Sequence, residues 1–453
     1  MTIDEALAGE AGLTGIQWVL YGAPVQRALR ELIVTLLEPS ARLAACRLLR
    51  AKVKPGRKLT AYYEVTFDGG PAEITQSRAI AVTWTAPHSP QLIPTETPVS
   101  TMEAAALAGG VAMPFRRLQA ISHEWRMHIE VAPLDSHFPQ LVRAMSPIHV
   151  AAMLTEQGIP VAACRIATLR YRPRQRHVLR YDLRTATGKL SPAFFAKLSQ
   201  KQEGATTAQI VQWAAEQLAQ SHSDVAVLCP SAWIAADHLL LYPYAPGMPV
   251  SQRLFTNQPT LPLLCRAGAA LRSFHDAPAP AALPLAGKTF AGEANATLQA
   301  GEQLASLAPP LYTTLCTLVA VAHERYQRLP GAEPTFTHSD FKADHLLADG
   351  NRLTLIDFDS CALADPAADL GKFLADLHWW QAVGGNFDRQ KAQAAFLTGY
   401  GPTTDASLYA RTHLYSTLIL AKNTVRRLNR FDEQWFAQSQ ALLNRATALL
   451  HSS

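Results

Sequence analysis

The stretch from Phe336 to Leu370 constrains this chain most, because it specifies a turn, a strand and two carboxylates within a short span. Leu353-Thr-Leu-Ile356 alternates and carries branched side chains as a buried strand does, and Ala348-Asp-Gly-Asn351 before it reads as the tight turn of a hairpin. Asp357 ends that strand. Asp340 stands upstream in the polar run His338-Ser-Asp-Phe-Lys342-Ala-Asp-His345, which reads as a loop. The two carboxylates are therefore expected together at a strand end. One carboxylate to orient a hydroxyl and a second to hold magnesium is the combination phosphoryl transfer needs.

A chain of 453 residues exceeds one ordinary core and should divide into two or three compact units. It has no run of eighteen apolar residues, and Met1-Thr-Ile-Asp-Glu lacks the basic and apolar parts of a signal peptide. The expected compartment is the cytoplasm, with no membrane partner. Six scattered cysteines without CxxC spacing read as reduced, mostly buried thiols and no zinc site. A net charge of +5 is mild for this length, and the arginines lack an interleaved aromatic platform, so nucleic acid is not expected as a partner.

The basic residues gather in two similar segments, Cys46 to Lys58 and Cys164 to Arg176, each with a proline at the same place (Pro55, Pro173). An offset of 118 relates Cys46 to Cys164, Pro55 to Pro173, Tyr63 to Tyr181 and Glu64 to Asp182. This pattern predicts one β-hairpin unit present twice. In the second copy apolar and aromatic residues alternate with arginine on both sides of Pro173, which gives two strands with cations crowded at the tip. Residues 1–150 are read as an N-terminal cap domain, a degenerate duplicate of the small lobe. Its strand Ala79 to Trp84 carries no lysine, and the loop from Thr85 to Ser100 is rich in proline and threonine.

The set His338, Asp340, Asp357, Asp365-Pro366 and Asp369-Leu370 resembles the catalytic and metal loops of the kinase-like phosphotransferases, the family of aminoglycoside, choline and sugar kinases. The resemblance implies an α+β, protein-kinase-like bilobal fold. A small antiparallel sheet lobe (151–246) would precede a mostly helical lobe (247–453), with the extra α+β domain in front. Helices are expected at Ala208–Gln220, Leu263–His275, Leu311–Arg328, Asp369–Trp380, Arg389–Tyr400, Leu408–Leu428 and Asp432–Leu450.

The same resemblance implies ATP and Mg2+ as cofactors and assigns roles to residues. Asp340 would be the base or would orient the acceptor hydroxyl, with Lys342 neutralising the γ-phosphate. Asp357 would bind magnesium and Asp359 would add a ligand or stay solvated. His345 stands where the family has an asparagine; a borderline imidazole ligand works there through water, packs, or marks lost activity. Lys197, ending Ala193-Phe-Phe-Ala-Lys197, would grip the α- and β-phosphates, paired with Glu216 or with the competing Glu203. One or two of Arg172, Arg174 and Arg176 would cover the phosphates where other kinases use glycine. The strand from Leu239 into Pro243-Tyr244-Ala245 resembles the hinge that faces adenine. Asp369 would cap the catalytic loop, and His338 would pack beneath the metal loop.

The acceptor is read from charge. Residues 372–453 hold nine lysines and arginines against five acids, which disfavours a polycationic antibiotic. Asp376, His378, Trp379 and Trp380 form a candidate sugar platform, although core packing explains the tryptophans as well. The reading is an ATP-dependent kinase of a small metabolite, a sugar or sugar derivative. A catalytically silent nucleotide binder and a protein kinase are the alternatives, and the oligomeric state is left open.

Overall fold

The structure is a computed structural model that describes every residue except 9, 70–75, 88, 90–96, 185–187, 189, 201–202, 257 and 452–453. Much of the expected 85–100 loop lies outside the described residues.

Three helices, α1 (Ile3–Ala8), α2 (Gly12–Tyr21) and α3 (Ala23–Val34), open the chain. In α3 the residues Val25, Leu29 and Ile33 recur every four positions and are fully buried, which is the spacing that places one face on a core. They cover a sheet of β1 (Ala41–Lys54), β2 (Lys58–Gly69) and β3 (Gln76–Thr85). After α4 (Thr97–Ala108), β4 (Gln119–Ser122) and β5 (Met127–Val131) complete it in the order β1-β2-β3-β5-β4. Every second residue of β2 from Leu59 to Phe67 is buried, as a half-covered strand requires.

Two short helices, α5 (Leu141–Ala144) and α6 (Pro147–Glu156), lead into β6 (Ala163–Arg172), β7 (Arg176–Arg184) and β8 (Leu190–Leu198). The chain continues through α7 (Glu203–Gln220), β9 (Val225–Val227), β10 (Ala232–Ile234) and β11 (Leu239–Pro243). The second sheet runs β6-β7-β8-β11-β10, the same connectivity as the first. Registers agree as well. Cys46 faces Val65 and Cys164 faces Leu183; Lys54 faces Lys58 and Arg172 faces Arg176. At the two tips Gly56 and Arg174 both adopt positive φ, +62° and +64°. By register Lys52, Lys54 and Lys58 occupy the places of Arg170, Arg172 and Arg176. Thr83, opposite Thr60, occupies that of Lys197, opposite Val178.

The helical lobe follows with β12 (Met248–Pro249), α8 (Val250–Arg253), α9 (Leu261–Asp276), β13 (Ala286–Gly287), α10 (Phe290–Leu307) and α11 (Pro309–Gln327). It ends with β14 (Thr335–Thr337), β15 (Leu346–Asp349), β16 (Arg352–Leu355), β17 (Ala362–Ala364), α12 (Ala367–Ala382), α13 (Arg389–Tyr400), α14 (Leu408–Arg426) and α15 (Trp435–His451). The expected hairpin is β15–β16, turning at Gly350 with φ +56°. Helix α10 was not expected; the side chain of Thr289 caps it by accepting from Gly292 N at 3.1 Å. Gly268 and Gly399 let α9 and α13 touch backbone to backbone, since a Cβ on Gly399 would lie 1.7 Å from Cys265 O. The whole is α+β and two-lobed, with the extra α+β unit in front.

That extra unit is docked on the helical lobe. Ala51 N in β1 donates to Asn429 O at 2.6 Å, Tyr21 Oη to Arg430 O at 2.7 Å, and Gln17 Nε2 to Asp432 O at 3.0 Å. One apolar core runs from α1–α3 and the first sheet into the helical lobe, and a second joins the two sheets through Tyr62, Ala81 and Ala132.

Candidate active site

Helix α12 organises the loop from His338 to His345. Asp369, in its first turn, accepts from His338 N and Ser339 N, each at 2.7 Å, and Ser339 is held at φ +60°. Seven residues on, Asp376 accepts from Ala343 N at 3.0 Å and Trp380 Nε1 at 2.9 Å, while its other oxygen meets Arg427 at 2.6 Å. Both aspartates are almost fully buried; Asp369 is spent on fixing backbone, and Asp376 ties the backbone of Ala343 to Trp380 and Arg427. Beneath the loop the buried His338 donates from Nε2 to Ile356 O at 3.2 Å. Asp357 sits at φ +69°, a conformation aspartate tolerates better than most, and this aims its carboxylate at the loop rather than along β16.

The loop and the strand end bring the predicted aspartates together. Asp340, His345 and Asp357 each offer a ligand atom, and these atoms all lie within 4.8 Å of one another. Cations surround them. Asp340 pairs with Lys342 at 2.7 Å and Lys372 at 3.0 Å. Asp357 pairs with Lys197 at 2.6 Å, and Arg176 lies 3.8 Å from its other oxygen. Asp359 contacts both Arg176, at 2.7 Å, and Lys197. The pairs from β7 and β8 to residues 357–359 thus bridge the small sheet and the helical lobe.

Burial alone would raise both carboxyls, but the neighbours prevail. Lys372, His345 and Lys342 hold Asp340 well below the usual carboxylate range; Lys197, His345 and Arg176 do the same for Asp357. Both are ionised at neutral pH. Burial, with Lys342 adding to it, lowers His345 to about 3, so its ring carries one proton. Its Nδ1 lies 3.0 Å from Asp340 O and its Nε2 3.2 Å from Asp357 Oδ2. Whichever nitrogen holds the proton, the other turns a lone pair toward an oxygen. A cation against that nitrogen would remove the conflict.

Some expected residues stand elsewhere. Glu216 is exposed on α7, where its carboxylate accepts from Gln212 at 2.8 Å, and Glu203 is exposed at the start of that helix. Lys197 instead takes both its ion pairs from Asp357 and Asp359, so neither glutamate supplies the predicted partner. Arg174 points away: its charge acts on His128, Glu130 and Lys58, and its backbone N–H is held by Asp135 at 2.7 Å. The positive φ at the hairpin tip turns it toward the first sheet. Tyr244 follows the last paired residue of β11, half exposed and stacked on Phe195 with centroids 6.4 Å apart. Asp376 and His378 are buried, with His378 accepting from Arg389, so neither is available to a sugar.

Lys372 was missed as a site residue. Its signal was present, since Asp369, Lys372 and Asp376 recur at helical spacing and must face the same loop. Arg170 was also passed over; burial and Arg176 lower it, while Asp357, Asp359 and Asp340 oppose that.

Beside the loop lies a cavity of about 1100 Å³. Its walls come from β1 (Arg50, Lys52, Lys54), the following turn (Arg57), the second hairpin (Arg172), α10, α12 (Trp379, Trp380), and Arg426 and Arg427. Asp344 and Glu302 are its acids.

A sequence model described as the phosphotransferase enzyme family APH matches residues 168–415, more than half of the chain. The chain belongs to this phosphotransferase family. The match begins in β6 and ends in α14, and so spans Lys197, the loop from His338 to His345 and the segment from Asp357 to Asp359. Similar solved structures include a choline/ethanolamine kinase family protein from Mesorhizobium loti, 17% identical over 62% of this chain and 87% of that one, with a TM-score of 0.42. Wild-type aminoglycoside 2'-phosphotransferase-IIIa, solved with GDP, is 15% identical over 67% and 98%, with a TM-score of 0.47. Choline kinase from Cryptosporidium parvum is 10% identical over 67% and 96%, with a TM-score of 0.45. No curated protein matches the chain.

Proposed function

We propose that this phosphotransferase moves the γ-phosphoryl group of ATP to a hydroxyl of a small metabolite, a sugar derivative. The observation that carries the reading is the convergence of Asp340, His345 and Asp357, ringed by Lys197, Arg176, Lys342 and Lys372. Two ionised carboxylates and an imidazole lone pair suit a divalent cation. Asp357 and His345 would hold Mg2+, with Asp340 and Asp359 in reach; when bound, the ion would neutralise charge on the transferring group.

The remaining chemistry belongs to side chains. Asp340, kept ionised by its lysines, is a weak base and a good acceptor, so it orients the attacking alcohol and takes its proton late, as a loose transition state permits. Lys342 and Lys372, on either side of it, face the charge that builds on the phosphoryl oxygens. Lys197 and Arg176 hold the other phosphates, and their ion pairs to Asp357 and Asp359 preorganise them. Trp379 and Trp380 offer the acceptor an apolar wall. Residues 1–150 act as a duplicate small lobe that has lost its strand lysine, Thr83 standing there, and closes one side of the acceptor cavity.

The test is coupled ADP release over a panel of sugars, polyols and amino alcohols, with wild type and Asp340→Ala. Turnover in the wild type and its loss in the variant, with nucleotide affinity retained, is the expected result. Equal turnover in both rejects the role of Asp340.

A further inference from the structure

The cavity is more basic than a neutral acceptor needs. Lys52, Lys54 and Arg57 from the first hairpin share the cavity wall with Arg172 from the second and Arg426 at the end of α14. None of these five makes an ion pair among the described residues, whereas Arg427 is already held by Asp376. Like charges gathered without partners cost free energy that an anion would return. The crowding registers on Lys52: burial lowers it, and Lys54, Arg50 and Arg426 lower it further.

The cations are also fixed in place. The hydrogen bond from Ala51 N to Asn429 O ties β1 to the loop that follows Arg426 and Arg427. Arg427 reaches through Asp376 to the backbone of Ala343 in the catalytic loop, and its guanidinium covers Trp379 and Trp380 at 5.1 and 5.6 Å. From Lys372, which touches Asp340, to Trp379 on the cavity wall is seven residues of α12, or roughly 10 Å of helix.

Register gives the cations a pattern. Lys52 and Lys54 occupy in the first hairpin the places that Arg170 and Arg172 occupy in the second, where Arg170 feels the charges of Asp357, Asp359 and Asp340. The first copy lost the strand lysine and kept the basic rim.

We propose that the acceptor carries a phosphoryl group of its own, and that the N-terminal hairpin, through Lys52 and Lys54 opposite Arg172 and Arg426, binds this group while the acceptor hydroxyl reaches Asp340. This rests on the kinase reading and narrows its substrate class to phosphorylated sugars or polyols. Several cations lining one cavity suit a dianionic phosphate better than a single carboxylate.

The experiment is calorimetric titration of the full chain with glucose 6-phosphate, glucose and inorganic phosphate, the nucleotide site being filled with a non-hydrolysable ATP analogue. Glucose 6-phosphate should bind at least about tenfold more tightly than glucose, and the double variant Lys52→Gln/Lys54→Gln should remove that advantage while Lys52→Arg/Lys54→Arg keeps it. Inorganic phosphate should bind weakly and show the same dependence. No binding of either phosphate, equal binding of glucose and its phosphate, or binding unchanged in the glutamine variant overturns the proposal. No turnover enters this measurement, and binding of the ATP analogue is read in the same cell, so failure of the kinase reading shows separately.

Discussion

Replacing Asp369 by alanine should cripple the site without touching any group proposed to contact substrate. The carboxylate is fully buried and accepts two short hydrogen bonds, from His338 N and Ser339 N. Hydrogen bonds to a charged group contribute about 1.5–3 kcal/mol each, so losing both costs roughly 3–6 kcal/mol, and two buried N–H groups are left without an acceptor. Ser339, at φ +60°, then has nothing to hold it in a left-handed turn, and Asp340 moves with it. The assay pairs urea unfolding with turnover. Asp369→Ala should unfold at much lower urea and lose at least about 100-fold in kcat, because a misplacement of about 1 Å costs that much. Asp369→Asn, which retains one acceptor, should fall between. A variant within twofold of wild type in kcat, with an unchanged urea midpoint, would refute the reasoning.

Lys372→Met should lower kcat by about 10- to 100-fold and leave nucleotide affinity within a few-fold, since Lys372 pairs with Asp340 rather than with the residues that face Lys197; equal losses in both quantities, read by stopped-flow binding and steady-state turnover, would contradict this. Gly399→Ala must push α13 off α9, because the added methyl meets Cys265 O, and should destabilise by on the order of 3 kcal/mol in urea titration, with kcat of the folded fraction preserved. Stability should fall in acid before the carboxylates titrate. Burial lowers His128 to about 4, and burial with Arg389 and Arg445 lowers His378 to about 3, so the unfolded chain binds protons that the folded chain refuses. Their contribution is complete above the ordinary histidine pKa near 6.5 and is lost as pH drops from there toward about 3; His378→Gln should flatten that part of the curve, measured by urea midpoints across pH.

Period and turn chemistry carried much of the fold. The hairpin at Gly350, the strand ending in Lys197 and helix α13 lie where alternation and helical spacing put them, because each buries a regular face. Helix α10 escaped notice because alanine and glutamine blur its apolar stripe, and its start depends on a single threonine cap. The site was legible where one local segment supplies both geometry and chemistry, as with Asp340, Asp357 and the capping Asp369. It was illegible where distant segments meet. Whether Lys197 finds a glutamate on α7 or an aspartate on the metal loop depends on how two lobes close, and no local pattern records that. Arg174 was misjudged for another reason: alternation assigns faces along a strand, but a left-handed residue at a tip reverses the direction of its side chain. The burial of Asp376 and His378 likewise follows from the packing of α12 against α14 and α15, which a helical period suggests only in outline.

The measurement that bears most directly on the convergence of Asp340, His345 and Asp357 uses Mn2+ as a paramagnetic probe in the presence of a non-hydrolysable ATP analogue. Electron spin-echo modulation should show a histidine nitrogen coupled to the ion, the signal should vanish in His345→Asn, and Asp357→Asn should weaken Mn2+ binding by about 100-fold or more. Ion binding untouched by Asp357→Asn, or wild-type spectra without nitrogen coupling, would contradict the account.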